Sequence, residues 1–331
     1  MNKVFKKFKI SFLLLTAVVL LLAACGKEEK SGGKEEEVTV NIALNGGLTL
    51  LAIAKEKGWF EEEFAKHNAK VEWHDFQSSV PLLEGLVSNR VDFSFIGDGT
   101  VVTGKSANMP FTVISTIGLQ GNQNSIIVKK DSPIQSIADL KGKTIAIAKG
   151  SSAHIFLIKA LEANNLTLED VKLVELQPDE AYSAFTTDKV DAWGIWDPYV
   201  TTEVQADRAR IVESVETMGI TAPAVMIGRD KFIKEHPELT EAYLRVYQKT
   251  VDWVNANKEE AAATLAELKQ MDGDLVKTLV DYTQYINTPV TDEVEKSMQA
   301  TADILLETGT IKDAVDISKA YDNTYIDKAL K

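Results

Sequence analysis

Cysteine, histidine and positive charge are all scarce in this chain of 331 residues, and each shortage removes a class of answer. With Cys25 as the single cysteine, no internal disulfide can staple the fold. The four histidines, His67, His74, His154 and His236, are scattered, so Cys and His form no cluster with metal-ligand spacing and no metal is expected. No cofactor fingerprint is present, and the chain has no G-x-S-x-G elbow to expose a nucleophilic serine. Lys and Arg number 36 against 49 Asp and Glu, for a net charge of -13. Such acidity argues against nucleic acid or an anionic membrane surface as partner.

What is present begins with a basic start. Lys3, Lys6, Lys7 and Lys9 precede an apolar stretch from Phe12 to Ala24 broken only by Thr16. That stretch falls short of the roughly 20 apolar residues a membrane-spanning helix needs, and it reads as a secretory signal. It ends in Leu22-Ala23-Ala24-Cys25, which resembles the lipobox of bacterial lipoproteins, in which the Cys is lipidated and becomes the new N-terminus. Residues 1–24 are therefore expected to be a lipoprotein signal peptide. Residues 25–37 are expected to be the lipidated Cys25 and a disordered tether, because Gly26 to Glu37 contains no apolar residue to bury. Removing four lysines with the signal brings the net charge from -13 to -17.

From Val38 onward, strand and helix patterns alternate. Val38, Val40, Ile42 and Leu44 predict a strand that Gly46-Gly47 breaks, and Leu48 to Lys57 predicts a helix ended by Gly58. Further strands are predicted at 71–76, 93–96 and 111–117, with Ser79 as N-cap of the helix after the second. The pattern restarts with strands at 125–128, 144–148, 171–176 and 191–195, and helices over 152–163 and 179–186. A last strand at 223–227 precedes an almost wholly helical remainder, with apolar spacing at Leu239, Tyr243, Val246, Tyr247 and Val251. The alternation predicts parallel sheets with crossover helices in two α/β lobes. Residues 38–120 and 218–331 would form the first and 121–217 the second, with the chain crossing between them twice.

Three segments carry chemistry. Gly99 to Ser106 matches the phosphate-loop pattern G-x-x-x-x-G-K-[ST], but such a loop must open a helix after its Lys-Ser, and Pro110 precludes one. The segment is expected to be the crossover helix itself. Gly150-Ser151-Ser152-Ala153-His154 lies between a strand and an apolar helix, where a glycine turn, two hydroxyls and free N–H groups suit an oxyanion. An ordinary capped helix would look the same. Asp191 to Tyr199 ends a strand in Trp193, Trp196 and Tyr199, where an open α/β sheet binds ligands. Trp196 is the favoured contact, and Trp193 could equally be core.

With these residues in view, the chain from about Asn41 to Leu239 resembles substrate-binding proteins of ABC importers for aliphatic sulfonates and taurine. It is also similar to the wider group that binds nitrate and thiamine-precursor pyrimidines. The matching runs are Ser132-Pro133-Ile134, Ala138 to Lys143, Gly150 to His154, Asp191-Ala192-Trp193 and Trp196 to Tyr199. The resemblance implies a two-lobed periplasmic-binding-protein fold of the second topological type, with a two-strand hinge. It implies a monomer on the outer face of the cytoplasmic membrane that hands a small organic anion to an ABC permease and its ATPase. No cofactor and no enzymatic activity are expected.

The resemblance places the sulfonate-contacting turn at Ser151 and Ser152, the aromatic wall at Trp193 and Trp196, and the second-strand loop at Gln77, Ser78 and Ser79. The chain departs from its relatives at Asn45-Gly46-Gly47 and at Gly97-Asp98-Gly99-Thr100, both ligand-facing loops. The expected ligand-binding set is therefore Asn45, Gly46, Gln77, Ser78, Gly97, Asp98, Gly150, Ser151, Ser152, His154, Trp193, Trp196 and Asp197. Asp98 or Asp197 holding an ammonium would favour taurine; without an amine, nitrate or a pyrimidine fits.

Overall fold

The computed structural model describes residues 37–119 and 124–331. The expected signal peptide, the lipidation site Cys25 and the tether as far as residue 36 lie outside the described residues.

In chain order, β1 (Val38–Asn45) leads into α1 (Leu50–Glu56), α2 (Trp59–Ala65), β2 (Ala69–Phe76), α3 (Ser79–Val87), β3 (Phe93–Gly97), α4 (Asp98–Ser106) and β4 (Phe111–Gly118). A second run comprises β5 (Ser125–Lys129), β6 (Thr144–Ile147), α5 (Ser152–Ala163), β7 (Lys172–Glu175), α6 (Pro178–Thr186), β8 (Ala192–Ile195), α7 (Tyr199–Gln205) and β9 (Ala209–Ser214). Then come β10 (Ala224–Arg229) and the helices α8 (Asp230–Glu235), α9 (Pro237–Ala256), α10 (Lys258–Lys269), α11 (Gly273–Tyr282), α12 (Asp292–Glu307) and α13 (Thr324–Ala329).

The strands form two five-stranded sheets, ordered β2-β1-β3-β10-β4 and β7-β6-β8-β5-β9. Wholly parallel sheets were the expectation, and each sheet departs from it at one strand. β10 runs antiparallel to β3 and β4, and β5 runs antiparallel to β8 and β9. The reason lies in connectivity. β5 and β10 are the two strands the chain enters on passing from one sheet to the other, so no crossover helix dictates their direction.

β1 pairs in register with β2 from Val38↔Ala69 to Asn45↔Phe76, which carries Asn45 to the carboxyl edge of the sheet. β9 had no counterpart in the sequence reading. Its run Ala-Arg-Ile-Val-Glu-Ser mixes charge with apolar residues, as an edge strand can, and Ile211 is exposed. The helix expected over 48–57 is shorter, and α2 starts directly after Gly58, whose φ of 65° lets the chain turn. α3 is preceded by Ser78 as N-cap, one residue earlier than Ser79.

The core fills both faces of the first sheet. On one face α9 buries Leu239, Tyr243, Val246, Tyr247 and Val251, the periodic set read from the sequence. Phe93 of β3 stacks on Tyr243 with ring centroids 4.4 Å apart, and Phe60 stacks on Tyr243 at 5.2 Å. On the other face Val294 and Met298 of α12 join Ile96 and Val225. Burying each such side chain contributes roughly 1.5–3 kcal/mol. α4 occupies the phosphate-loop-like segment, and its Lys105 ammonium donates to the Phe111 carbonyl. A Cβ on Gly104 would stand 2.7 Å from the Phe111 ring, so this glycine serves helix packing.

Candidate ligand-binding site

A cavity of about 460 Å³, its open mouth included, lies where the carboxyl ends of strands from both sheets face each other. The first sheet contributes Asn45 at the end of β1, Phe95 and Gly97 on β3, Asp98 at the start of α4 and Ser79 at the start of α3. The second contributes Ser151 and Ser152 at the start of α5 and Trp196 just beyond β8. Asn124 and Ala222 line it from the two passages between the sheets, and Ala224 from the start of β10.

The polar lining is rich in donors. Ser151 caps α5, its hydroxyl accepting from His154 N–H and its carbonyl from Ile155 N–H. The N–H groups of Ser152 and Ala153 are left without a partner among the described residues, at the positive end of the helix dipole. Ser152 Oγ donates to Asn124 Oδ1 at 2.9 Å, which directs the Asn124 amide donors elsewhere. Asn45 Nδ2 donates to Ser79 Oγ at 2.9 Å and to the Phe95 carbonyl at 2.8 Å, so the Ser79 hydroxyl keeps its proton for another acceptor.

The carboxylates nearby are engaged. Asp98 Oδ2 accepts from Lys159 at 3.1 Å and from Thr301 at 2.8 Å. Asp197 accepts from Thr201 and from the Tyr282 hydroxyl. Burial pushes the Asp197 carboxyl up, while these hydrogen bonds pull it back.

Of the expected set, the structure brings Asn45, Gly97, Asp98, Ser151, Ser152 and Trp196 to the cavity. Trp193 is elsewhere: it is fully buried in the core of the second sheet, against Phe185 at 5.6 Å and Tyr199 at 5.3 Å. Of the two tryptophans expected at the cavity only Trp196 lines it, with Phe95 as a second aromatic. Gln77 and Ser78 join the sheets instead, donating to Asp179 and Gln177 of the α6 segment, each at 2.9 Å. Gly46 backs the site; a Cβ there would stand 2.6 Å from the Gln77 carbonyl and 3.8 Å from the Trp196 indole nitrogen. Asp197 faces a neighbouring cavity, of about 930 Å³ with its mouth, lined by Leu48, Ile117, Tyr247, Leu279 and Tyr282. Phe95 and Ala224 are common to both cavities.

Gly150 and His154 sit behind the turn, where Gly150 N–H donates to His154 Nδ1 at 3.2 Å. Burial, helped by the Lys149 ammonium, pushes the His154 imidazole down to about 4. The folded chain thus keeps His154 neutral where an unfolded chain would protonate it. Stability is full above the ordinary value of 6.5 and falls as the pH drops from there towards 4, by about 3 kcal/mol for this group. Urea unfolding of His154→Gln is expected to show a correspondingly smaller loss over that window; an identical loss would count against a neutral His154.

Four lining residues escaped the sequence reading: Phe95, Asn124, Ala222 and Ala224. Phe95 and Ala224 read as ordinary strand residues, and Asn124 and Ala222 lie in the passages, where no periodic signal exists.

Two α/β sheets joined by two passages, with a cavity between their carboxyl edges, define the class: this is the fold of the periplasmic binding proteins. The chain belongs to the NMT1/THI5-like family, whose sequence profile matches residues 45–261. It is 40% identical over 294 residues to a protein of Bacillus subtilis (strain 168) named "Putative aliphatic sulfonates-binding protein", with 88% of each chain covered. A protein of the same name from Escherichia coli (strain K12) is 25% identical over 279 residues, covering 84% of this chain and 86% of the relative. Among solved structures, the alkanesulfonate-binding protein SsuA from Xanthomonas axonopodis pv. citri, bound to MOPS, superposes with a TM-score of 0.81 at 25% identity. That match covers 87% of this chain and 99% of the other. These relatives are named as binding proteins.

Proposed function

We propose that this protein is an exported solute-binding lipoprotein, anchored through Cys25, that captures an aliphatic sulfonate between two lobes and delivers it to an ABC permease and its ATPase. The observation that carries the reading is the α5 N-terminus, with its unclaimed N–H groups, Ser152 and Asn124 on the same cavity as the Trp196 indole. A sulfonate has three acceptor oxygens and no proton to give at neutral pH, so it needs donors only. Its apolar tail would pass Phe95 towards the larger, mostly apolar compartment.

The lobes in this reading are residues 38–120 with 218–331, and residues 121–217. They would close about the two passages by hinge motion, excluding water and presenting the shape the permease reads. The Gln77–Asp179 and Ser78–Gln177 hydrogen bonds support a closed arrangement. A taurine preference has no support from the carboxylates, since Asp98 and Asp197 both already serve internal donors. The protein would act as a monomer and a carrier, with no cofactor, no metal and no turnover of its ligand.

A thermal-shift panel of alkanesulfonates, taurine, nitrate and a hydroxymethylpyrimidine tests the ligand. An alkanesulfonate is expected to raise the midpoint at micromolar concentration, and a rise only with nitrate or the pyrimidine would replace the sulfonate reading. Ser152→Ala is expected to weaken ethanesulfonate binding about tenfold, because it removes the hydroxyl that holds Asn124 Oδ1 and so turns the Asn124 amide donors towards the charged group. An unchanged dissociation constant by calorimetry would exclude this turn as the site.

A further inference from the structure

A carboxylate stands in the wall of a cavity that we read as an anion site. Asp98 is buried and lines the same space as Ser151 and Ser152. Left alone, its negative charge would oppose an anionic ligand in a poorly solvated place, where like charges repel strongly. Among the described residues Lys159 supplies a cation for it. Lys159 Nζ lies 3.1 Å from Asp98 Oδ2 and 2.7 Å from Thr301 Oγ1, and Thr301 in turn donates to Asp98 Oδ2 at 2.8 Å. The three form a closed triangle from which water is nearly excluded: the Lys159 and Asp98 side chains are 11% and 5% exposed. A lysine held this deeply must be paired.

The triangle draws on both sheets. Lys159 belongs to α5, which follows β6 of the second sheet, whereas Asp98 opens α4 after β3 and Thr301 lies on α12, packed on the first. The spacing of Ser152, Ile155 and Lys159 places them along one face of α5. They meet the first sheet's side in sequence: Ser152 near Gly97, Ile155 near Gly99, and Lys159 at Asp98 and Thr301.

We propose that Lys159 determines the charge selectivity of the cavity: it cancels Asp98 when the two sheets come together, so that a site with a carboxylate in its wall accepts an anion. This rests on the anion-carrier reading above. Lys159 acts through Asp98, as a positioning and neutralising residue.

Calorimetry with propanesulfonate on wild type, Lys159→Met, Asp98→Asn and the double variant provides the test. Lys159→Met is expected to weaken binding by at least about tenfold, and the double variant to return to within about threefold of wild type, the coupling expected of a buried charge pair. Asp98→Asn alone, which leaves the Lys159 charge uncancelled beside the cavity, is expected to bind the anion more tightly than wild type. Binding by Lys159→Met within about threefold of wild type would overturn the proposal, as would a double variant no better than the single. Should Lys159→Met fail to fold, Asp98→Asn decides, and a tenfold loss in it overturns the proposal. If wild type instead binds nitrate, sulfate or a carboxylate, the sulfonate reading fails and the same variants decide the role of Lys159 with that anion. If wild type binds no anion at all, both readings fail.

Discussion

Gly99→Val is expected to weaken ligand binding by up to about two orders of magnitude while the chain stays folded. A Cβ at position 99 would stand 2.2 Å from Cγ1 and 2.6 Å from Cβ of Ile155. Ile155 is branched at the atom it presents and is buried, so no rotamer change relieves the clash. The contact joins α4 after the first sheet to α5 of the second. Overpacking of this kind costs about 1–3 kcal/mol, which, borne by the proposed closed arrangement alone, corresponds to a loss of roughly fivefold to 150-fold in apparent affinity. Helix propensity would favour valine over glycine, so a loss of binding has to come from the contact with Ile155. Calorimetry with an alkanesulfonate, alongside circular dichroism to verify folding, reads the outcome. Wild-type affinity in Gly99→Val would mean that this approach of α4 to α5 is not required for capture.

Asp92→Ala is expected to destabilise the protein by about 3–5 kcal/mol, because it leaves Arg229 buried without its partner. Asp92 and Arg229 side chains are 1% and 13% exposed. One carboxylate oxygen accepts from Arg229 Nε at 3.0 Å, and the other accepts from the Asn41 backbone and side-chain amides, each at 2.9 Å. The pair therefore ties β1, the start of β3 and the end of β10 together, at the edge of the sheet away from the cavity. Urea unfolding should show a lower midpoint with an unchanged slope. Ligand affinity should change little, since no member of the pair lines the site. A loss below about 1 kcal/mol would place this pair with surface ion pairs in its worth.

The legible part of the site was the part built from neighbours in sequence. Ser151 and Ser152 stood out because a strand, a glycine turn and an apolar helix follow one another directly, and that order alone presents free N–H groups at the start of the helix. Trp196 stood out because it ends a strand. The pairing of Trp193 with Trp196 misled, since the two are only three residues apart in the chain and packing alone separates them: Trp193 lies within β8 and faces α6, while Trp196 lies past its end. Ser78 looked like a ligand contact for the same local reason, yet its hydroxyl is taken by Gln177, 99 residues away.

Strands, helices and their caps were readable from the order of residues because propensity, alternation and capping act over a few positions. The same holds for rejecting a phosphate loop at Gly99–Ser106, where Pro110 shuts off the helix such a loop must open. The reversed strands β5 and β10, the encounter of Asn124 with Ser152, and the neutralisation of Asp98 by Lys159 61 residues later were not readable in that way. Each depends on contacts between residues far apart in the chain, whose energies arise only once both sheets are packed and water has left the space between them.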